Sequence, residues 1–372
     1  MRILVTHPTS FERVRRGTER LAEETAAFLG SCGHDVTFLA CRPGAEKVER
    51  RPGFRLIERK SLWRPWMRRC GVHEFMTFGL QAGAELAREH YDLAYCYSFV
   101  DAAAARVVTG TRKTPVVMVV NGLPLGRGGP LFRYAARAAS EVVVFSEFVN
   151  QFVLAWRGRR GVVIPAPVDL NQFPFQPARD LRSPRILCTA ALDDPRKGGR
   201  LTMRAFNLLK QRVPGATLQV ASRADADLQS NLLSMIDEPH RKDVMFTGDG
   251  RREDLARLYA EAAVTVLASV NEAFGMVVTE SMATGTPVAA VRHGALPEII
   301  TDGVTGCLAD PGPIVESAAT NAEALSAAMY GALELARKPE TARLCRQTAE
   351  RFSWTAAGPL MDQLCRRLIG AG

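Results

Sequence analysis

The chain alternates short apolar runs with longer segments that are apolar at every third or fourth position. In the first half, the run at residues 2–6 is followed by a helical pattern at 20–33, which ends at a glycine, and by another apolar run at 35–40. Apolar runs without a polar face are typical of parallel strands that helices cover on both sides. Further strand and helix patterns in this half lie at 78–90, 91–98, 115–122, 131–140, 141–146 and 161–167.

A polar, proline-rich segment at residues 165–184 interrupts this alternation. Proline at that density continues neither a helix nor a central strand, so the segment is predicted to link two domains. The alternation then starts again at residue 184. The strand and helix patterns of the second half lie at 184–192, 202–215, 217–222, 243–249, 255–262, 264–269, 280–285 and 287–291.

The predicted fold class is α/β, with two tandem, doubly wound, Rossmann-like domains that bind ligands at the carboxyl ends of parallel strands. A length of 372 residues also favours two cores over one. We place the first domain at residues 1–168 and the second at 169–352. Residues 353–372 are expected to form a C-terminal helix. The sequence leaves open whether this helix packs back on the first domain.

The composition is that of an ordinary globular protein, with 47% hydrophobic and 23% charged residues. Apolar runs are shorter than the roughly 20 residues that cross a bilayer, so no transmembrane segment is predicted. The opening MRILVTHP reaches a proline early and lacks the longer apolar core of a signal peptide. A cytoplasmic location is therefore expected. The eight scattered cysteines without a CxxC pair and the six histidines without ligand spacing predict reduced, buried thiols and no metal site.

The net charge of +9 would suit nucleic acid, a membrane surface or an anionic small molecule as partner. The densest basic cluster is residues 59–71, where Trp63 and Trp66 alternate with basic side chains. A solvated loop, an acceptor-binding segment and a peripheral contact with anionic lipid all remain open for it. Nucleic-acid-binding motifs are absent from the sequence, so nucleic acid is not expected as a partner.

The glycine pattern argues against two common nucleotide sites. Neither GxGxxG after the first strand nor a Walker motif is present, so a nicotinamide dehydrogenase is a poor interpretation. Gly17 stands at the head of the first helix, after Arg15 and Arg16, where free backbone amides and the positive helix end suit a phosphate. A plain surface loop with Thr18 as the helix cap is the alternative.

The stretch NEAFGMVVTE, residues 271–280, places two carboxylates around a glycine turn and a helix start. The amides of Met276 and Val277 would point at a phosphate lying there. Carboxylates such as Glu272 and Glu280 accept hydrogen bonds from hydroxyls, which sugars carry in number. This constellation favours a ligand with hydroxyls on both sides of a phosphate, and a nucleotide sugar fits that description.

These motifs resemble those of the retaining glycosyltransferases of family 4, which have the GT-B fold. The resemblance is strongest across residues 244–311, where the E-x7-E pattern of NEAFGMVVTE is followed by GALPEIITDGVTGCLADP. Residues 17–20 and the order of the predicted strands match more loosely. The resemblance implies a first domain that binds the acceptor and a second domain that binds the nucleotide sugar. It also implies a transfer that keeps the anomeric configuration of the sugar.

The resemblance further implies roles for individual residues. Glu272 would hold hydroxyls of the donor sugar, and Glu280 would hold the ribose hydroxyls. Lys197 would neutralise the diphosphate, and Gly17 would close over the phosphates. The backbone of Phe274 through Val277 would meet the diphosphate. The remaining donor-binding residues are Ala273, Phe274, Gly275, Met276 and Val277.

The chain departs from the family pattern at two positions. Ala191 stands where many members have an arginine, so Arg196 is the candidate for the second cation on the diphosphate. Asn121 stands where many members have a histidine near the reacting sugar, and an asparagine cannot carry a proton. The residues expected to act in catalysis are Glu272, Lys197 and Asn121.

We therefore expect a glycosyltransferase that uses a UDP- or GDP-linked sugar, with a small specialised metabolite as the preferred kind of acceptor. A metal or other cofactor is not expected, and the Asp225–Asp227 pattern is interpreted as a helix cap. His7 is expected in a loop after the first strand, whereas His293 is a candidate donor contact. The alternatives are a sugar-nucleotide-binding protein with weakened catalysis and a nonhydrolysing sugar-nucleotide epimerase, whose usual histidine and acidic pattern is not evident.

Overall fold

A computed structural model of the chain describes residues 1–10, 12, 17–64, 67, 74–110, 114–123, 129–177, 179, 181–248, 252–315 and 318–370. They form two compact units. The first comprises Met1–Pro167 together with Ala357–Gly372, and the second comprises Val168–Ala356. Arg15, Arg16 and Trp66, which the sequence singled out, lie outside the described residues.

The first unit is built on one mostly parallel sheet. Its described strands are β1 (Arg2–Thr9), β2 (Asp35–Arg42), β3 (Lys47–Arg51), β4 (Phe54–Lys60), β5 (Leu93–Cys96), β6 (Val116–Val120), β7 (Glu141–Val144) and β8 (Val162–Val163). They lie in the order β3-β4-β2-β1-β5-β6-β7-β8, and only the β3–β4 pair is antiparallel. The helices are α1 (Gly17–Ser31), α2 (Glu74–Arg88), α3 (Phe99–Thr109), α4 (Pro130–Ala138) and α5 (Glu147–Arg157).

Two local expectations for this unit were wrong. His7 lies inside β1 and not in a loop, and only 4% of its surface is exposed. Its Nδ1 is 2.7 Å from the carbonyl oxygen of Thr9, and burial lowers its pKa to about 4. The start of the basic cluster, Arg59 and Lys60, belongs to β4 and not to a loop. Half-buried Trp63 follows that strand.

The second unit contains a wholly parallel sheet, as predicted. Its described strands are β9 (Arg185–Cys188), β10 (Thr217–Val220), β11 (Val244–Phe246), β12 (Val264–Leu267), β13 (Val288–Val291) and β14 (Gly306–Ala309), in the order β11-β10-β9-β12-β13-β14. The helices are α6 (Gly199–Arg212), α7 (Ala226–Leu233), α8 (Arg252–Glu261), α9 (Met276–Ala283), α10 (Leu296–Ile299), α11 (Ala322–Ala336) and α12 (Pro339–Glu350). Two 3₁₀ turns cover Pro195–Lys197 and Glu238–Asp243.

The C-terminal helix α13 (Trp354–Gly370) packs on the first unit over most of its length. Gly358 lies so close to α1 that an added Cβ would come within 2.4 Å of the Phe28 ring. One turn further along α13, the carboxylate of Asp362 lies 2.6 Å from Nε2 of His34. The absence of a side chain at Gly358 therefore sets how closely the two helices approach.

Four other expectations concern single side chains and helices. Asp225 caps α7 by accepting a hydrogen bond from the amide of Leu228 at 2.8 Å, which confirms the helix-cap interpretation. Within the described residues, His, Cys, Asp and Glu side chains form no group of three that could hold a metal ion. In the same ranges, every helix is too short or too polar to cross a lipid bilayer. Five cysteines are buried as predicted, namely Cys41, Cys96, Cys188, Cys345 and Cys365, whereas Cys32 and Cys307 are only half-buried. Cys70 lies outside the described residues.

Candidate functional site

The sheet of the second unit reverses its strand order between β9 and β12. These strands are adjacent and parallel, with Leu187 opposite Thr265, yet the chain leaves β9 towards β10 on one side and β12 towards β13 on the other. Loops that leave two adjacent strands in opposite directions open a crevice at the carboxyl ends of those strands. Open α/β sheets bind ligands in such a crevice. The crevice loops here are residues 189–198, after β9, and 268–275, after β12.

The loop after β12 makes a turn that only glycine accommodates easily. Gly275 has φ of 109°, and an added Cβ would lie 2.8 Å from Cδ2 of Leu296. Asn271, with φ of 56°, is the only other described residue of this loop in the left-handed region. The sharp turn allows α9 to start at Met276, directly beside the loop.

The first amides of α9 are available to a ligand. The amides of Val278 and Thr279 already donate to the carbonyl oxygen of Gly275, at 2.8 and 3.3 Å. Among the described residues, no backbone carbonyl or capping side chain accepts from the amides of Met276 and Val277. Free amides at the positive end of a helix form a binding place for an anion.

Glu272 and Lys197 come from different loops and meet in the crevice. The Nζ of Lys197 is 2.7 Å from Oε2 of Glu272, and both side chains remain partly exposed, at 31% and 16%. The backbone of Glu272 is fixed because its carbonyl oxygen accepts from the amide of Ala295 at 2.9 Å. Gly294 packs closely against the same peptide, since an added Cβ there would lie 2.5 Å from the backbone carbonyl oxygen of Glu272.

His293 supports this loop through its ring. Its Nδ1 accepts the amide hydrogen of Asn271 at 3.0 Å, and burial lowers the pKa of the imidazole. A neutral ring with an accepting Nδ1 is what this contact requires. The structure thus gives His293 a contact that orients the loop, and its expected contact with a donor stays a prediction.

The loop after β9 carries the two predicted cations on one 3₁₀ turn. The carboxylate of Asp194 starts this turn by accepting the amide of Arg196 at 3.0 Å. Gly198 ends it with φ of 69°, packed so tightly that an added Cβ would lie 2.3 Å from the carbonyl oxygen of Ala268. The amide of Val270 donates to the carbonyl oxygen of Arg196 at 2.9 Å, so the two crevice loops are joined through their backbones.

Arg196 has a counterion that the sequence analysis missed. Its Nη2 lies 2.6 Å from Oδ2 of Asp194, and its Nε lies 3.1 and 3.2 Å from the two oxygens of the same carboxylate. This hydrogen-bonded pairing raises the pKa of Arg196 and lowers the pKa of Asp194. The available signal was the order Asp-Pro-Arg, in which an aspartate before proline is a good turn cap.

Glu280 lies on the second turn of α9 and is buried, with 6% of its surface exposed. The Oη of Tyr259 donates to its Oε2 at 3.1 Å, and that hydroxyl lies 3.1 Å from Oγ1 of Thr189. Tyr259 was not a predicted site residue, because nothing in the pattern of α8 distinguishes it from a core aromatic. The side chains of Ala273 and Phe274 are buried, and the Phe274 ring meets Phe352 edge-on at 5.5 Å.

Two predicted site residues belong to the first unit. Gly17 is exposed and is the first residue of α1, as expected for the helix head. Asn121 directly follows β6, and its Nδ2 donates to the carbonyl oxygen of Tyr97 at 3.3 Å. This contact holds the amide of Asn121 at the carboxyl end of the strand.

Models of two sequence families match the chain. The family described as Glycosyl transferases group 1 matches residues 183–333, and the family described as Glycosyltransferase Family 4 matches residues 15–172. The two matched ranges do not overlap, and they meet within the proline-rich segment, where one ends at residue 172 and the other begins at residue 183. The second-half range contains most of the predicted site residues, and the first-half range contains Gly17 and Asn121.

Curated relatives match over parts of the chain. The MMP alpha-(1->4)-mannosyltransferase of Mycolicibacterium hassiacum is 32% identical over 194 residues, which are 52% of this chain and 44% of the relative. The D-inositol 3-phosphate glycosyltransferase of Saccharomonospora viridis is 30% identical over 254 residues, which are 67% of this chain and 49% of the relative. The chain therefore spans less than half the length of these relatives.

Solved structures match the fold over the whole chain. Sucrose-phosphate synthase from Thermosynechococcus elongatus is 21% identical with a TM-score of 0.81, and the match covers 100% of both chains. The Anabaena protein HepE, solved in complex with UDP-glucose, is 17% identical with a TM-score of 0.69 and also covers 100% of both chains. The two family models, which together cover most of the chain, show that it belongs to the group 1 glycosyltransferases of family 4, and the solved structures show the GT-B fold.

Proposed function

We propose that this protein transfers a sugar from a nucleoside diphosphate sugar, UDP- or GDP-linked, to an acceptor hydroxyl with retention of the anomeric configuration. The observation that carries the proposal is the meeting of Lys197 and Glu272 beside the open start of α9. One crevice then holds a cation and free amides for a diphosphate and a carboxylate for sugar hydroxyls. We assign donor binding to the second unit and acceptor binding to the first.

The diphosphate is the part of the donor that gains charge as the sugar departs. Cations and amides held in place before the reaction stabilise that charge without reorganising. In the proposed complex, Lys197 and Arg196 contact the diphosphate from the turn after β9, and the amides of Met276 and Val277 contact it from α9. The tightly packed turns at Gly198 and Gly275 support this arrangement because they keep the donors of both loops in fixed positions.

The two glutamates would bind the hydroxyls on either side of the diphosphate. Glu272 reaches the sugar, since its carboxylate is partly exposed and lies beside Lys197. Glu280 takes the ribose hydroxyls, since Tyr259 holds one of its oxygens and a carboxylate has further acceptor positions. Neither glutamate is proposed as a general acid or base, because neutral hydroxyls are their partners. Asn121 is proposed to hydrogen-bond near the reacting sugar.

The comparisons support a nucleotide-sugar donor and a polar acceptor. A fold neighbour binds UDP-glucose, and a curated relative is named for transfer to D-inositol 3-phosphate. The acceptor proposed here is accordingly a small, hydroxyl-rich metabolite. The sites of the second unit supply positive charge from their own side chains, so the proposal assigns no step to a metal.

The experiment is a turnover screen followed by product analysis. The full chain is incubated with UDP-glucose, UDP-galactose, UDP-N-acetylglucosamine or GDP-mannose and a panel of polyols and sugar phosphates, and release of UDP or GDP is measured. Release with one donor, and a product whose anomeric proton shows the configuration of the donor by NMR, is the expected result. Inverted configuration would contradict the retaining mechanism.

A binding protein with weakened catalysis is the second candidate. The observation in its favour is Asn121, which donates to a backbone carbonyl and cannot carry a proton as the family histidine can. For this candidate, the same screen would show no nucleotide release, while calorimetry would show tight binding of a nucleotide sugar. An epimerase would differ again, because the sugar of the donor would change at one carbon in the absence of an acceptor.

A further inference from the structure

The carboxylate of Asp194 contacts Arg196 in two separate ways. It caps the 3₁₀ turn through the arginine amide at 3.0 Å, and it binds the guanidinium through Nε and Nη2 at 2.6–3.2 Å. The cap needs only an oxygen acceptor, which an asparagine also offers. The contact with the guanidinium is different, because it uses the charge of the carboxylate and fixes one edge of a planar group.

The pair is part of a four-charge arrangement with no net charge. Asp194 pairs with Arg196, and Lys197 pairs with Glu272, so two cations are balanced by two carboxylates. Glu272 also acts on Arg196 as a neighbouring charge, although more weakly than Asp194. A diphosphate that enters such an arrangement gains most from cations whose remaining donors are already aimed at it.

Arg196 has such donors left. A guanidinium offers five N–H groups, and the contact with Asp194 uses the Nε and Nη2 edge. Within the part of the chain that the structure describes, no atom accepts a hydrogen bond from Nη1 of Arg196. The carbonyl oxygen of Arg196 is bonded to the amide of Val270, so the backbone of this residue is also fixed with respect to the loop that leads to α9.

We propose that Asp194 is a positioning residue that holds Arg196 with its Nη1 edge towards the diphosphate of the donor. Arg196 thereby replaces the arginine that is missing at Ala191, whose exposed methyl side chain offers no donor. This inference rests on the proposed function, because it assumes that a nucleoside diphosphate occupies the crevice. It does not follow from the net charge, since removing a carboxylate near an anion site would by itself favour the anion.

The sign of the effect therefore separates positioning from simple repulsion. UDP, GDP and ADP are titrated into the full-length protein by calorimetry, and the tightest binder is used for the variants. Asp194→Asn keeps the cap on the turn and removes the charge that holds the guanidinium. We expect its affinity to fall roughly fivefold, the scale of a partly exposed charge-assisted pair. Asp193→Asn is the matched control, because Asp193 is exposed and adjacent and undergoes the same chemical change.

A double variant tests whether Asp194 acts through Arg196. If it does, Asp194→Asn should cause no further loss of affinity in an Arg196→Met background, so that the two single losses are not additive. Ala191→Arg, introduced into the Asp194→Asn protein, should restore most of the lost affinity by returning a cation to the family position.

A loss in Asp194→Asn that disappears in the Arg196→Met background, with the Asp193→Asn control unchanged, supports the proposal. Unchanged or tighter binding by Asp194→Asn, or losses that add, overturns it while nucleotide binding by the unaltered protein leaves the proposed function standing. If the unaltered protein binds none of the three nucleotides, the proposed function fails and this inference fails with it. The melting temperature of each variant is recorded, and the Arg196→Met background corrects for any general loosening of the turn.

Discussion

Both units carry polar groups near the carboxyl ends of their central strands, but these groups are buried in the first unit and partly exposed in the second. In the first unit, Asp101 is fully buried and receives a hydrogen bond from Thr6, and burial raises its pKa to about 7. In the second unit, Lys197, Glu272 and Arg196 are partly exposed and paired with opposite charges. Buried groups of the first kind change stability with pH, whereas paired, accessible charges of the second kind can be offered to an anionic ligand.

The difference also appears in the backbone. The crevice of the second unit is bounded by positive-φ positions at Gly198, Asn271, Gly275 and Gly294. Three of these are glycines at which a Cβ would clash with the neighbouring loop or helix. Strained or special backbone of this kind tends to gather at functional sites, where it fixes groups for a ligand. We therefore expect changes in the second unit to alter binding and turnover, and changes at Asp101 to alter stability.

The largest effect is expected from Lys197→Ala. Loss of a fixed cation beside the leaving diphosphate should lower kcat by about a hundredfold, the scale seen when one preorganised electrostatic contact is removed. Steady-state kinetics with the donor found in the screen measure this. Lys242→Ala is the control, because Lys242 is exposed on the second 3₁₀ turn. Equal activity of both variants would show that the crevice cation has no part in the reaction.

Gly275→Ala should impair both stability and nucleotide affinity. The alanine would adopt φ near 109° and meet Cδ2 of Leu296, a strain of about 1–3 kcal/mol that can be relieved only by moving the start of α9. Gly303→Ala is matched to it, because Gly303 also has positive φ, at 75°, but an added Cβ there meets open space. Both should lose stability in denaturant titrations, and only Gly275→Ala should lose affinity. Affinity loss in both would point to a general effect of backbone strain.

Tyr259→Phe is expected to weaken nucleotide binding roughly fivefold, because it removes a single hydrogen bond to a buried carboxylate. The ring would remain in place between Phe173 and Glu280, so the fold should be conserved. Calorimetry measures the affinity, with Tyr330→Phe as the control, since Tyr330 stacks under Arg212 away from the crevice loops. Wild-type affinity in Tyr259→Phe would mean that Glu280 needs no such orientation.

Asp101→Asn tests the first unit and should change how stability depends on pH without changing nucleotide affinity. The folded pKa of Asp101, about 7, lies above its ordinary value of 3.8, so between these pH values the unfolded chain releases a proton that the folded chain keeps. This carboxyl therefore lowers stability as pH rises from 4 to 7. His7 acts in the other direction between pH 4 and 6.5, because its folded pKa is lowered. As the pH rises from 5 to 8, the stability of Asp101→Asn should therefore increase relative to that of the unaltered protein.

Urea titrations at both pH values check this, and nucleotide affinity should stay within twofold of the unaltered protein. A stability difference that is the same at pH 5 and pH 8 would show that Asp101 does not titrate in this range. A large loss of nucleotide affinity would contradict the division of roles between the two units.

The sequence predicted the parts of the molecule that follow from periodicity and local turn chemistry. The strands β9 to β13 of the second unit, the turn at Gly275 and the start of α9 are of this kind, whereas β14 was not predicted. His7 was misplaced because the proline after it suggested the end of the strand, although β1 continues to Thr9. The β3–β4 hairpin was missed because an edge strand such as Lys47–Arg51 is largely charged and has no apolar run.

The pairings within the site were beyond the sequence for another reason. Glu272 and Lys197 are 75 positions apart, and Tyr259 and Glu280 belong to different helices, so only the packing of loops on the sheet brings them together. Asp194 was closer to prediction, since it stands two residues before its partner. The sequence shows that Asp194 can cap a turn, but the direction of the arginine side chain follows from the structure.

The central claim is that the crevice of the second unit binds a nucleoside diphosphate through Glu280. The most direct measurement is calorimetric titration of UDP, GDP, ADP, TDP and CMP into the unaltered protein, Glu280→Ala and the exposed control Glu340→Ala. The account predicts selective binding of one diphosphate by the unaltered protein and the control, and loss of that binding in Glu280→Ala. Binding of no nucleotide, or equal binding with and without Glu280, would contradict it.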